Sequence, residues 1–333
     1  MEVMKILNLA SPGHEELPMR LIKDNLDILG ERIITICNAS FIQGVFPTQL
    51  KRAKVVPIFK SGDRKDIKNY RPISILNSFN KILEKIAYLQ LYYYLTSNNI
   101  LTRCQYGFRT GYSTENAINN MLTQLYNALD NRQYTVCVMI DLSKAFDTLN
   151  RIILINKLEY YGIQGVSLQW FESYLSARDQ FVSINGKASD IRGVELGVAQ
   201  GSSLGPLLFN LYINDLVHSS NFFQYFLYAD DTSLLASSPN LHELIAQINV
   251  ELNNVCNWFH CNQLTINASK SNCITFRRRL QIPPDTPPII MGGVEIKNVS
   301  CCRFLGAYID EHLKFDAHIQ FMVNKASKYI SFL

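Results

Sequence analysis

Two apolar runs that each stop at acidic residues constrain this chain more than any other feature. Tyr134 to Ile140 is nearly unbroken in its apolar character, and it ends on Asp141. Phe222 to Tyr228 is a second such run, followed by Ala229, Asp230 and Asp231 and then by Thr232 to Ala236. Runs of this length read as strands buried on both faces, inside a sheet covered by other elements. The second reads as strand, acidic turn, strand. Carboxylates gathered at the ends of buried strands are costly neighbours, because two unit charges about 4 Å apart repel by roughly 4 kcal/mol at an effective dielectric near 20. An Asp-Asp pair alone is ordinary turn chemistry. Three acids at strand ends call for a cation, and hard oxygen donors suit Mg²⁺, which takes one or two carboxylates and completes its shell with water and substrate phosphates.

The remaining elements alternate between helical and strand periodicity, which predicts an α/β or α+β fold. Helical patterns cover residues 15–45, 77–97, 113–131, 152–161, 166–177, 201–216 and 241–260, and another begins in the last twenty residues. Strand patterns cover Lys54–Lys60, a hairpin of Phe181–Asn185 with Asp190–Glu195 around Gly186, and short segments at 273–277, 289–291, 294–296 and 303–309. Asp147 is positioned to cap the helix that starts near Ile152, a role that suits it better than metal ligation. Residues 282–288, with four prolines, read as an extended connector.

Composition removes several classes. With 47% hydrophobic and 18% charged residues over 333 positions, the chain is globular and not disordered. Its eight cysteines form no CxxC pair, so they read as reduced, mostly buried thiols of an intracellular protein and not as a zinc motif. No apolar run reaches the eighteen or so residues of a membrane span, and the N-terminus lacks a secretory pattern, so the expectation is a soluble chain without a membrane partner. The formal charge of +4 is unevenly spread: Lys51 to Lys85 holds ten basic residues against three acidic ones. Such a block is either a solvated face or a phosphate-binding surface.

Several blocks, in order, resemble reverse transcriptases. Phe226-Leu227-Tyr228-Ala229-Asp230-Asp231 is similar to their aromatic-x-Asp-Asp turn, and differs from the Gly-Asp-Asp of viral RNA polymerases. Asp141-Leu142-Ser143-Lys144-Ala145-Phe146-Asp147 resembles the first carboxylate block, and Gln200 to Phe209 the block that contacts template and nucleotide. Leu264 to Lys270 and Phe304-Leu305-Gly306 resemble the last two palm blocks. Asn69 to Ser74, Gln105 to Arg109, Trp170 to Leu175 and Ile213 to Leu216 narrow the resemblance to LINE-like, non-LTR retrotransposons.

The resemblance implies a right-hand polymerase fold with an antiparallel palm sheet and flanking helices. It divides the chain into an N-terminal helical extension (1–40), fingers (41–131), palm (132–306, with a fingers-like insertion at about 148–199) and the start of a truncated thumb (307–333). It implies RNA-directed DNA synthesis from an RNA template, a DNA primer and deoxynucleoside triphosphates, with two Mg²⁺ ions, or Mn²⁺ in their place. Asp141, Asp230 and Asp231 would hold the metal, and Lys270 would be an acid for the leaving pyrophosphate. Lys60, Arg71, Arg109, Gln200, Gly201 and Tyr228 would bind substrate. Phe146 would gate the sugar, since a phenyl ring there excludes a 2′-hydroxyl. Phe304, Leu305 and Gly306 would grip the primer, or else form a plain hairpin. Arg109 is equally open to a structural role or a template-backbone contact.

One departure is Ala199, where the family commonly has proline. The thumb reads as incomplete, and neither an endonuclease domain nor a Cys/His knuckle is visible, so weak processivity is expected. An RNA-dependent RNA polymerase and a non-catalytic nucleic-acid-binding relic are the alternatives, with a metal nuclease disfavoured. The resemblance alone implies the nucleus.

Overall fold

The computed structural model describes residues 17–281 and 284–330. The first residues of the N-terminal helical reading and part of the 282–288 connector lie outside them. The strands, in chain order, are β1 (Arg52–Phe59), β2 (Tyr70–Leu76), β3 (Tyr134–Ile140), β4 (Arg178–Ile184), β5 (Lys187–Ala188), β6 (Arg192–Val194) and β7 (Gln224–Tyr228). They continue with β8 (Asp231–Ser238), β9 (Asn272–Phe276), β10 (Ile290–Met291), β11 (Val294–Glu295), β12 (Lys297–Asn298), β13 (Cys301–Phe304) and β14 (Ala307–Asp310). The chain divides into two compact units, Met1–Leu101 with Lys144–Ile213, and Thr102–Ser143 with Asn214–Leu333.

In the first unit, β1 and β2 form an antiparallel hairpin, and β1 also pairs in parallel with β4. β5 and β6 both pair with β4. The helices Leu26–Gln43, Ser78–Ser97 and Val166–Leu175 supply the core. The ring of Trp170 lies parallel to Tyr174 at 5.6 Å and edge-on to Phe46 at 5.4 Å, and its indole N–H donates to Ser40 Oγ at 3.0 Å. That bond meets the demand of a polar atom taken out of water.

The second unit is built on a sheet ordered β12-β9-β3-β8-β7. Its pairs are antiparallel except β12 with β9. Six of the seven residues of β3 are buried, as its apolar run requires. The helix Thr114–Asp130 buries Ala117, Met121, Leu125 and Ala128, a spacing of three and four that forms one stripe. Three of these join Cys137, Leu235, Ile274 and Phe304 in a single apolar cluster. Fully burying a side chain of this kind is worth about 1.5–3 kcal/mol. Three of the eight cysteines, Cys137, Cys273 and Cys302, are buried in this unit, and burial pushes their thiols up, to about 12 for Cys273 and Cys302. All eight cysteines are free.

Three expectations are corrected. The helix expected from Gly201 starts at Gly205, because residues 201–204 form a turn, and it ends at Tyr212 before a short 3-10 stretch at Asn214–His218. The cap expected of Asp147 belongs to Asn150, whose Oδ1 accepts from the N–H groups of Ile152 and Ile153 at 2.8 and 3.1 Å. The hairpin around Gly186 is two short pairings: β4 takes β5 just after the turn and β6 farther along. Among the described residues, no helix is long and apolar enough to cross a membrane.

Candidate active site

The acidic end of the β3–β8–β7 sheet follows from register. Ile140 pairs with Thr232, so the chain leaves β3 at Asp141 beside the point where β8 begins at Asp231. Neighbouring strands lie about 4.8 Å apart, which puts the two aspartates on adjacent backbones. Tyr228 pairs with Asp231, so Ala229 and Asp230 are the two residues of the β7–β8 turn. Ala229 has φ +55°, a left-handed conformation that costs a non-glycine residue about 1–3 kcal/mol unless its surroundings hold it.

The surroundings do hold it. The segment 104–106 lies parallel to β7: Leu227 N–H donates to Cys104 O at 2.9 Å, and Tyr106 N–H to Leu227 O at 2.8 Å. Gln105 Oε1 accepts from Gly107 N–H at 2.8 Å and from Ala229 N–H at 3.0 Å. A Cβ on Gly107 would stand 2.5 Å from the Ala229 nitrogen, so this approach requires glycine. The guanidinium of Arg109 donates to the carbonyls of Thr102 and Gln105 and lies 4.2 Å from the ring centre of Tyr112. Arg109 thus tightens the loop behind the turn.

Asp141 is fixed from its other side. Its N–H donates to Ser271 Oγ at 3.1 Å, and its carbonyl accepts from Asn267 N–H at 2.8 Å. Leu142 bridges to Ile266 and Ser143 N–H donates to Thr265 O, so the segment holding Lys270 runs alongside the exit of β3. Lys270 itself is exposed. Phe304 is buried and packs edge-on to Phe226 of β7 at 6.4 Å, leaving Leu305 and Gly306 as the turn between β13 and β14.

Asp141 and Asp230 are half-buried and Asp231 is exposed. Among the described residues, no group of three or more His, Cys, Asp or Glu side chains is arranged to hold a metal ion unaided. An adjacent pair or trio of carboxylates at strand ends nevertheless fits Mg²⁺, whose usual shell draws the rest of its oxygens from water and phosphate.

The first unit gathers a different set. Lys60 N–H donates to Asn69 O at the loop end of the β1–β2 hairpin, and Arg71 pairs with Ile58 in it. Ser74 of β2 donates its N–H to Gln200 O at 2.7 Å. Gly201 has φ +112°, and a Cβ on it would meet Ser74 O at 2.7 Å, so Gln200-Gly201 is seated directly on the strand that carries Arg71. Phe146 stacks on Phe209 with ring centres 4.5 Å apart, and its carbonyl accepts from Val198 N–H. Gln200 Nε2 donates to Asp147 Oδ1 at 2.8 Å. A carboxylate can only accept, so this bond fixes the amide of Gln200 with its oxygen turned the other way. Burial raises the Asp147 carboxyl above its ordinary range, against the pull of Gln200 and Lys144.

Behind this set is a buried acid that sequence reasoning missed. Glu84 is fully buried; its two oxygens accept from Tyr174 OH at 2.7 Å and Ser203 N–H at 2.8 Å. Burial pushes its carboxyl up, opposed by Arg178, Tyr174 and Ser203. The basic block is also divided: Lys51 is buried and Arg52 pairs with Asp179 through two 2.8 Å bonds, while Lys60, Arg64, Lys65, Lys68 and Arg71 stay exposed.

Residues 58–309 match the family Reverse transcriptase (RNA-dependent DNA polymerase). The chain belongs to the reverse transcriptase family. It is a reverse transcriptase domain related to the polymerases of non-LTR elements. It is 32% identical over 301 residues to the probable RNA-directed DNA polymerase from transposon BS of Drosophila melanogaster, covering 86% of this chain and 32% of that protein. It is 27% identical to the RNA-directed DNA polymerase from mobile element jockey of the same organism, covering 93% of this chain and 34% of that protein. The reverse transcriptase domain therefore spans about a third of the length of these curated relatives. A solved structure of apo telomerase from Candida tropicalis, truncated from its C-terminal domain, superposes with a TM-score of 0.53 at 15% identity. That match covers 82% of this chain and 55% of the other, and it establishes a shared mixed α/β fold.

Proposed function

We propose that this reverse transcriptase domain carries out RNA-directed DNA synthesis, adding deoxynucleotides from their triphosphates to a DNA primer 3′-hydroxyl on an RNA template. The observation that carries the reading is the acidic end of the β3–β8–β7 sheet, where Asp141 leaves one central strand beside Asp231 and the Asp230 turn. In this reading the sheet of the second unit is the palm, and the β1–β2 hairpin belongs to the fingers.

Asp141 and Asp230, with Asp231 beside them, would hold the divalent ions. When bound, two such ions activate the attacking hydroxyl and neutralise charge on the departing pyrophosphate. Lys60 and Arg71 are offered as the groups that hold the triphosphate, Arg71 with bidentate geometry available to it. Phe146 blocks the space of a 2′-hydroxyl. Gln200 and Gly201 shape the nucleotide pocket and Tyr228 leads into the acidic turn. Lys270 is the donor for the pyrophosphate, and Leu305 and Gly306 offer backbone to the primer end. Arg109 is assigned here to holding the 102–105 loop.

The test supplies the chain with an RNA template, a DNA primer and Mg²⁺, and compares four deoxynucleotides with four ribonucleotides. Extension by deoxynucleotides alone is expected. Equal extension by ribonucleotides would indicate an RNA polymerase, and template binding with no extension would indicate a non-catalytic relic.

A further inference from the structure

We infer that Gln105 is a positioning residue for the acidic turn, fixing the backbone that carries Asp230 and Asp231. This inference rests on the assignment of those aspartates to the polymerising site.

Gln105 is 1% exposed and lies 124 positions from Ala229 in sequence. Its single amide oxygen accepts two backbone N–H groups, from Gly107 and from Ala229. Ala229 occupies the first place of the two-residue turn with a left-handed φ, so its N–H points away from the β7–β8 ladder and needs an acceptor from elsewhere. Gln105 supplies it. Because the oxygen must face both donors, the amide nitrogen faces the other way, and Gln105 Nε2 has no hydrogen-bond partner among the described residues. A buried unpaired donor costs about 1–3 kcal/mol. A side chain kept at that cost is kept for what its oxygen does.

The rest of the loop makes that oxygen immobile. Cys104 and Tyr106 are bonded to Leu227 on either side of it, Arg109 ties the carbonyls of Thr102 and Gln105, and Tyr106 lies parallel to Phe226 while its hydroxyl accepts from Asn120. Gly107 lets this rib approach the turn without a Cβ in the way. The acidic turn is thereby braced from outside the sheet by a buried side chain.

The experiment uses the full chain and three variants. Gln105→Met keeps the length and volume and loses the acceptor. Gln105→Glu keeps an acceptor for both N–H groups. Asp230→Asn reports on the underlying assignment. Positioning shells of this kind usually set activity by tenfold to a hundredfold. Gln105→Met should lower kcat for primer extension by about that factor, leave the deoxynucleotide KM within about twofold, and raise the Mg²⁺ concentration needed for half the maximal rate. Gln105→Glu should recover most of the rate. Hydrogen exchange on the unmutated chain is an independent readout: the Ala229 and Gly107 amides should be protected to the same degree, and Gln105→Met should expose both. Wild-type kcat in Gln105→Met, or fast exchange of the Ala229 amide in the unmutated chain, would overturn the inference, and the exchange result stands even if that variant fails to fold. If Asp230→Asn extends primers as well as wild type, the site assignment itself has failed, whatever Gln105 does.

Discussion

At the scale of single residues, the positions that matter differ in how openly the sequence declares them. Asp141, Asp230 and Asp231 are conspicuous because each interrupts or follows an apolar run. Gln105 is silent, since its role depends on a partner 124 positions away. Asp147 reads as an Asx residue before a helix, yet Asn150 stands immediately before Arg151 and takes the cap, leaving Asp147 to bond Gln200. Phe146 gives a direct prediction: Phe146→Ala should lower the preference for deoxynucleotides over ribonucleotides by tenfold or more, at least about 1.4 kcal/mol, measured as the ratio of kcat/KM values. Glu84 gives a second one. Its carboxyl is raised by burial from an ordinary value of 4.5, so the folded chain retains a proton that the unfolded chain releases. Stability from this group therefore falls as pH climbs from about 4.5 through the raised folded value. Glu84→Gln does not titrate and can still accept from Ser203 N–H. The melting temperature of Glu84→Gln minus that of wild type should grow more positive across that window and then level off. A difference that is flat with pH would show that Glu84 does not titrate on folding. Glu84→Ala leaves the donors of Tyr174 OH and Ser203 N–H without their acceptor and should cost about 1–3 kcal/mol in denaturant unfolding.

At the scale of elements, long patterns were legible and short ones were not. β3 and the helices 77–97 and 113–131 fall within a residue or two of their expected bounds, because burial on two faces and a 3.6-residue stripe both write themselves into many consecutive positions. The turn at 201–204 is blurred because it is held by groups far away in sequence, Ser74 N–H on Gln200 O and Glu84 on Ser203 N–H, which leave no local pattern ahead of the apolar helix. The hairpin β1–β2 is half legible: Lys54–Lys60 carries a strand pattern, whereas Pro72 interrupts that of β2, and only the pairing shows it lying opposite Pro57. Caps offer a simple check at this scale. Asn150→Ala removes the acceptor for two N–H groups of the helix Arg151–Tyr160 and should destabilise the chain by about 1 kcal/mol in denaturant unfolding. No loss would mean that the helix start is held by tertiary packing alone.

At the scale of the whole molecule, the two compact units divide the candidate roles: the first holds the basic hairpin, Phe146 and Gln200, and the second holds the carboxylates, Lys270 and the β13–β14 turn. The charge block was legible as a cluster, but its division was not, because only packing reveals that Lys51 is buried and Arg52 is spent on Asp179. The exposed remainder predicts how the chain meets nucleic acid. Binding of an RNA template should weaken linearly in log–log terms as salt rises, and Lys65→Ala with Lys68→Ala should reduce that slope by roughly one to two, since each phosphate contact contributes about 0.7–0.9. An unchanged slope would place the phosphate contacts elsewhere. The central claim is that the acidic end of the β3–β8–β7 sheet is where nucleotides are joined. Primer extension on an RNA template with Mg²⁺, comparing wild type with an equally folded Asp230→Asn chain, tests it most directly. The account predicts extension by wild type and loss of at least a hundredfold in rate with Asp230→Asn, whereas equal rates for the two proteins would contradict it.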